Sequence, residues 1–335
     1  MKQKDGRWCG KRTAGRVLHG RLLRELFFAA SLAGIAILLG GCSEMVLFNP
    51  KGPIGEVERF IILTAFALML LVVVPVILMT LWFAWRYRAG SRKDHDYAPK
   101  WSYSRTIEIS IWVVPAIIVT ALTVLIWNNT FRLDPMNPIP SSRQPVTIEV
   151  VSLDWKWLFI YPEENVAVVG EIVFPADVPL AFRLTSDSVM TSFFIPQLGS
   201  QIYAMAGMQS RLHLMANEPG TFFGHNQQFS GSGYSSMTFK ATATSPEEYS
   251  VWLEKLREAP ETLDLNRYQK LAKPSQGYPV TYFSSVAPGL FDHIIDKHGP
   301  HDGTPHDRKA QPPIRRHHQP EDRGGALREE YTLTQ

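Results

Sequence analysis

Phe60-Ile-Ile-Leu-Thr-Ala-Phe-Ala-Leu-Met-Leu-Leu-Val-Val-Val-Pro75-Val-Ile-Leu-Met-Thr-Leu-Trp82-Phe-Ala-Trp85 is an uncharged run of 26 residues bounded by Arg59 and Arg86. About 20 apolar residues in a helix cross the hydrocarbon core of a bilayer, so this run predicts a transmembrane helix over residues 60–86. Pro75 does not argue against it, because membrane helices tolerate proline better than soluble ones do. Trp82 and Trp85 stand near one end, where indole rings settle at the membrane surface.

Downstream, Ile109 to Trp127 is a second uncharged run, of 19 residues, and predicts a span over residues 107–128. Pro115 lies inside it, and Trp112 and Trp127 stand near its ends. The connection, residues 87–106 with Arg86 at its edge, carries Arg86, Arg88, Arg92, Lys93, Lys100 and Arg105 against Asp94 and Asp96. This positive bias places the loop in the cytoplasm and both outer flanks in the periplasm. Glu108 opens the second span at its cytoplasmic end. A carboxylate there is favoured by the helix dipole. Ionisable groups at membrane depth also mark proton routes, so Glu108 is a proton-entry candidate.

Upstream, residues 1–41 hold eight Lys or Arg and two acidic residues, a local charge of +6. The whole chain carries +3, so residues 42–335 carry +3 − 6 = −3 and offer no basic surface for nucleic acid. The basic stretch leads into an apolar run from Leu26 to Leu39 and then Gly40-Gly41-Cys42. That order predicts a secretory signal peptide over residues 1–41. Leu39-Gly40-Gly41-Cys42 also resembles the bacterial lipobox, in which the cysteine is acylated and becomes the mature N-terminus. Residues 42–59 are then a periplasmic N-terminal segment tied to membrane lipid. The alternatives are an ordinary signal with an incidental cysteine, or an uncleaved anchor. Cys9 falls within the signal, so the exported chain keeps only Cys42 and can build neither a disulfide nor a cysteine metal site.

Residues 144–243 change character. Val146–Val150, Gly170–Phe174, Leu180–Leu184, Arg211–Met215 and Met237–Ala241 each suit a short strand, separated by turn residues such as Pro175-Ala-Asp177 and Asn217-Glu-Pro-Gly220. Short strands at this spacing predict an all-β sandwich or small barrel. Residues 244–296 form a C-terminal helical region. Ser245-Pro246-Glu247-Glu248 is a helix start, with Ser245 as N-cap and Glu248 completing a capping box. A second short helix is expected from Leu263 to Ala272. Residues 297–335 read as a disordered, His-rich tail. Six of the ten histidines lie between His293 and His318, at irregular spacings that favour a solvated tail over a metal site.

Two stretches carry a family resemblance. One runs from Asp187 to Met208 and contains Ser192-Phe-Phe-Ile-Pro196. The other is Gly224-His225-Asn226-Gln227-Gln228-Phe229-Ser230-Gly231-Ser232-Gly233-Tyr234-Ser235-Ser236-Met237. With the lipobox, the paired spans, Asp154-Trp155-Lys156-Trp157 and Asn49-Pro50-Lys51-Gly52-Pro53, they resemble subunit II of the haem-copper respiratory oxidases. The likeness is greatest to the quinol-oxidase branch, the cytochrome bo-type ubiquinol oxidases, and covers roughly Cys42 to Phe291. It implies a cupredoxin-like fold for the periplasmic domain. In the copper-bearing branch this loop holds a dinuclear copper pair. Here Asn226 and Ser230 stand at the thiolate positions, Thr191 and Tyr234 at the histidines, and Gln228 at the glutamate. Met237 alone matches in type. Soft copper pairs require thiolate and imidazole ligands, so these six degenerate positions imply no metal on this chain.

The resemblance implies a non-catalytic subunit of a proton-pumping ubiquinol oxidase, an enzyme complex that reduces oxygen to water. Haem b, haem o and copper are then expected in the partner catalytic subunit I, with other oxidase subunits and ubiquinol met through the complex. It gives Glu108 a role at the entry to a proton pathway of that partner. Trp155 and Trp157, with no copper beneath them, are expected to pack against the partner or the membrane surface. The cysteine count argues against a cytochrome c oxidase subunit, so cytochrome c is not an expected partner. A periplasmic metal-binding lipoprotein, handling copper through its β domain or His-rich tail, is the alternative. Met190, Met205, Met208, Met215 and Met237 would be its scattered soft donors.

Overall fold

The computed structural model describes residues 46–88 and 103–299. The signal peptide, Cys42, most of the connection between the spans and the tail beyond residue 299 lie outside the described residues.

Two helices are long and apolar enough to cross a membrane: α1 (Pro53–Arg86) and α2 (Arg105–Thr130). α1 starts seven residues before its apolar run, so the last part of the stretch read as an N-terminal segment is already helical. Pro53 sets this start, since its fixed φ and missing N–H suit the first turn of a helix. That extra turn rests on the β domain: the Gly55 amide donates to the Leu198 carbonyl at 3.2 Å. Just ahead of it, the Lys51 amide donates to Gln197 O at 2.7 Å, and the Asn217 amide donates to Lys51 O at 2.8 Å.

The β domain is a sandwich. One sheet contains β1 (Val146–Leu153), β2 (Lys156–Tyr161), β3 (Val166–Val169), β5 (Leu180–Ser186), β8 (Ser210–Leu214) and β11 (Thr281–Phe283), in the order β11-β3-β2-β1-β5-β8. The other contains β4 (Glu171–Pro175), β6 (Thr191–Ile195), β7 (Gly199–Ala204), β9 (Gly220–Asn226) and β10 (Thr238–Thr244), in the order β4-β10-β9-β6-β7. β1 runs parallel to β5 and β10 parallel to β4, whereas the remaining neighbours are antiparallel. Trp157, Phe159, Phe182, Phe193 and Phe239 fill the space between the sheets. The buried Tyr161 hydroxyl spans them, donating to Val173 O at 2.8 Å and accepting from Val173 N at 3.1 Å.

Each of the five expected strands coincides with an observed one, shifted by a residue or extended. β2 and β3 have no legible alternation because they are buried on both faces. The reason is the C-terminal region, which contains α3 (Pro246–Arg257), α4 (Leu265–Leu271) and α5 (Leu290–His298). α3 starts at the foreseen capping box, with the Glu248 amide donating to Ser245 Oγ at 3.2 Å. The region is not helical throughout, because β11 pairs with β3 and extends the first sheet. Tyr268, Leu271, Phe283, Leu290, Phe291 and Ile294 form a second core against Val151, Leu158, Ile160 and Val169 on the outer face of that sheet. α5 also corrects the start of the tail, since Lys297 and His298 are helical.

Candidate functional site

Asn226 closes β9 opposite Phe193 of β6, with its side chain buried under the loop that follows. Its Oδ1 accepts from the amides of Ser192 and Gln228, each at 2.9 Å. Its Nδ2 donates to Gln228 O at 2.7 Å and Ser230 Oγ at 3.1 Å, and lies 3.5 Å from Met237 Sδ. Ser192 Oγ accepts from the Gln227 amide at 2.8 Å. One carboxamide thus holds both ends of the loop, which a buried polar group must do to recover its lost hydration.

Five of the six positions that the resemblance sets against copper ligands belong to this loop. Asn226, Ser230 and Met237 meet directly, whereas Gln228 enters through its backbone. Tyr234 lies in a single turn of 3-10 helix, its ring 5.8 Å from that of Phe229. Met237 is buried in the main core and immediately precedes β10. Thr191 turns elsewhere: its hydroxyl donates to Ser152 Oγ of β1 at 2.7 Å. A carboxamide, hydroxyls, a phenol and one thioether do not suit a soft copper pair, and Asn226 presents N–H donors where a thiolate would donate electrons. The residues present do not fit the metal.

Trp155 lies over the loop. It occupies the left-handed region at φ 61°, and its Nε1 donates to Ser230 O at 2.9 Å. A Cβ at Gly233 would fall 2.3 Å from the indole, so only glycine lets the ring seat there. Trp157 is fully buried, its ring 5.4 Å from that of Phe193 and 5.8 Å from that of Phe239. The expectation that Trp157 packs against a partner or the membrane is therefore corrected, whereas Trp155 is only half-buried. β2 runs through the middle of the sandwich and turns Trp157 into its core, while Trp155 covers the loop of its own chain.

Sequence reasoning passed over Asp187. Its side chain is 3% exposed and receives Lys297 Nζ, His298 Nε2 and the Tyr268 hydroxyl, each at 2.7 Å. Burial alone would raise its pKa, but the three hydrogen bonds outweigh that and hold the carboxyl below its ordinary value. The Asp187 amide donates to Ser152 O at 2.9 Å, so the C-terminal helix and the Thr191 end of the site meet on Ser152. The partners lie 81 to 111 residues away, and no local signal marks them. Lys156 is similar: 4% exposed, it donates to Lys273 O at 2.8 Å and Ser275 Oγ at 2.5 Å, and lies over the Tyr278 ring. Burial lowers its pKa.

Glu108 lies in the first turn of α2, exposed, with its amide donating to Ser104 O at 3.0 Å. The Tyr103 hydroxyl is its hydrogen-bonding neighbour.

Residues 160–244 match the family model for the cytochrome c oxidase subunit II periplasmic domain, and residues 257–301 match the COX aromatic-rich motif. The chain is 54% identical over 278 residues to the cytochrome bo(3) ubiquinol oxidase subunit 2 of Pseudomonas aeruginosa, covering 82% of this chain and 83% of that protein. Against the same subunit of Pseudomonas putida it is 50% identical over 275 residues, covering 82% and 87%. The ubiquinol oxidase subunit 2 of Acetobacter aceti is 48% identical over 273 residues, covering 80% and 88%.

Proposed function

The chain belongs to the subunit II family of the haem-copper quinol oxidases, and we propose that it serves as the non-catalytic second subunit of a proton-pumping ubiquinol oxidase. The observation that carries this reading is the Asn226 network. The loop that would receive electrons from a docked redox protein is held shut by amide and hydroxyl hydrogen bonds, with Trp155 across it. Quinol, delivered through the membrane, is then the electron donor. Haem b, haem o and copper of the catalytic subunit carry its electrons to oxygen, and this chain adds no redox step of its own.

Its residues supply structure and a proton route. The two helices flank the catalytic subunit in the inner membrane, with the β domain over the periplasmic face and acylated Cys42 as a lipid anchor. The exposed Val189, Met190, Met208 and Phe229 offer apolar surface for oxidase subunits to cover. Glu108 admits protons at the cytoplasmic surface. A carboxylate in the first turn of a membrane helix stays hydrated there and can exchange protons with bulk water.

Purification of the chain with its complex tests the reading. The expected preparation shows the spectra of two distinct haems, consumes oxygen with ubiquinol and ignores reduced cytochrome c. Stoichiometric copper bound tightly by this chain would overturn the account of its loop. Glu108→Ala is expected to slow oxygen uptake and lower the protons pumped per electron, and Glu108→Asp to restore most of both. Unchanged turnover and pumping in Glu108→Ala would remove the proton role and leave the rest standing.

A further inference from the structure

At the end of the hairpin nearest the β domain, a crevice of about 520 Å³ opens between α1 and α2, with Ile61, Ile126, Thr130 and Phe131 among its walls. The turn Leu133–Pro135 also walls a smaller cavity of about 170 Å³, which Arg132, Ser200 and His213 line. Ile61 is the second residue of the first apolar run and Ile126 the last but one of the second. The crevice therefore stands where hydrocarbon gives way to headgroups, on the membrane topology proposed above. The exposed Arg132 guanidinium has no hydrogen-bond or ion-pair partner among the described residues. The neighbouring polar groups are engaged differently. Asp134 Oδ1 accepts from the Met136 amide at 3.0 Å, and His213 Nδ1 lies 3.0 Å from Pro135 O.

We propose that these adjoining cavities seat one outer-leaflet phospholipid, with its phosphodiester on Arg132 and an acyl chain in the crevice against Ile61, Ile126 and Phe131. The chemistry matches on both sides. A planar guanidinium binds phosphate oxygens in pairs, and the crevice wall takes hydrocarbon. A free phosphate would use only the first of these.

The proposal rests on the oxidase reading, and one set of samples separates the two. The assembled complex is extracted in mild detergent and titrated with phosphatidylglycerol, and bound lipid is counted by native mass spectrometry. Arg132→Gln is expected to raise the half-saturating concentration of one bound phospholipid about tenfold, the loss of a charge-assisted pair. Ile61→Trp, which fills the crevice, is expected to abolish that binding. Arg59→Gln, which removes an exposed cation lining neither cavity, is expected to match the parent. Excess inorganic phosphate should not displace the lipid.

Equal lipid counts in all samples would overturn the proposal. So would displacement by phosphate together with undiminished binding in Ile61→Trp, which would mark a simple phosphate site. Loss of the catalytic subunit from Ile61→Trp would overturn it too, by showing that protein covers the crevice. Failure of the oxidase reading shows differently, as a parent preparation without haems or quinol-dependent oxygen uptake.

Discussion

At the scale of single residues, Asn226 carries the site. It stands where the family resemblance would set a thiolate, and its value is that a carboxamide both donates and accepts. Asn226→Ala leaves the Ser192 and Gln228 amides and the Gln228 carbonyl without their partner. Each buried group so abandoned costs about 1–3 kcal/mol, and water entering the opened loop recovers part of it. The expected outcome is a net loss of about 2–4 kcal/mol, seen as a lower thermal midpoint of the β domain in the purified complex, with quinol oxidation intact below that temperature. Gly233→Ala tests the Trp155 lid separately. Its new Cβ would meet the indole at 2.3 Å, so an overpacking loss of about 1–3 kcal/mol is expected. In a Trp155→Ala background the same substitution should cost much less. Additive losses in the double variant would show that the indole is not what excludes a side chain there.

At the scale of elements, legibility followed locality. The two apolar runs were plain because length alone decides them, and the start of α3 because Ser245 and Glu248 are three residues apart. β6, β7 and β9 carry no clean alternation, and β2 and β3 none, because the second core buries their other face. The loop could be read for what it lacks. Its actual organisation depends on Ser192, which lies 34 residues from Asn226 and is brought there only by the pairing of β6 with β9. The same limit hid the clasp on Asp187, which fixes α5 to the end of β5. The sign of its pH dependence follows from its lowered pKa. A carboxyl held below its unfolded value stabilises the fold above that value, near 3.9, and loses the contribution as pH falls through the lower folded value. Protection of the α5 amides, taken relative to their intrinsic exchange rate at each pH, is therefore expected to fall as the pH is taken below about 4. Asp187→Asn should weaken α5 already at neutral pH, by about 1–3 kcal/mol, and flatten that acid response. An acid response of α5 unchanged in Asp187→Asn would assign it to another group.

At the scale of the whole molecule, the question is what keeps a β domain in fixed register with two helices that share so little surface with it. The head of α1 answers it. Gly52 passes so close to β8's exit that a Cβ there would lie 2.2 Å from the Met215 carbonyl, and one on Gly199 would lie 2.6 Å from Ile54. Gly199 is also at φ 139°, which favours glycine. Around this close approach the contacts are polar and specific. Ser200 Oγ donates to Glu58 Oε1 at 2.6 Å, Asn217 Nδ2 donates to Glu56 Oε1 at 3.0 Å, and Lys51 pairs with Glu218. The Lys51–Glu218 and Asn217–Glu56 contacts are exposed and contribute little each, about 0–1 kcal/mol, so the register rests on the part-buried Ser200–Glu58 bond and the backbone bonds at Lys51, Gly55 and Asn217. Gly52→Val is expected to break them without touching either core. The thermal midpoint of the β domain should then stay within a degree or two of the parent, because the sandwich loses no packing. The amides of Lys51, Gly55 and Asn217 should exchange at least about tenfold faster, reporting local opening alone. Less of the catalytic subunit should co-purify, since a domain free to swing no longer presents one face to its partner. Unchanged exchange at those three amides would mean that α1 and the domain are held by the membrane and the partner subunits instead, with the glycine contact merely permitted by them.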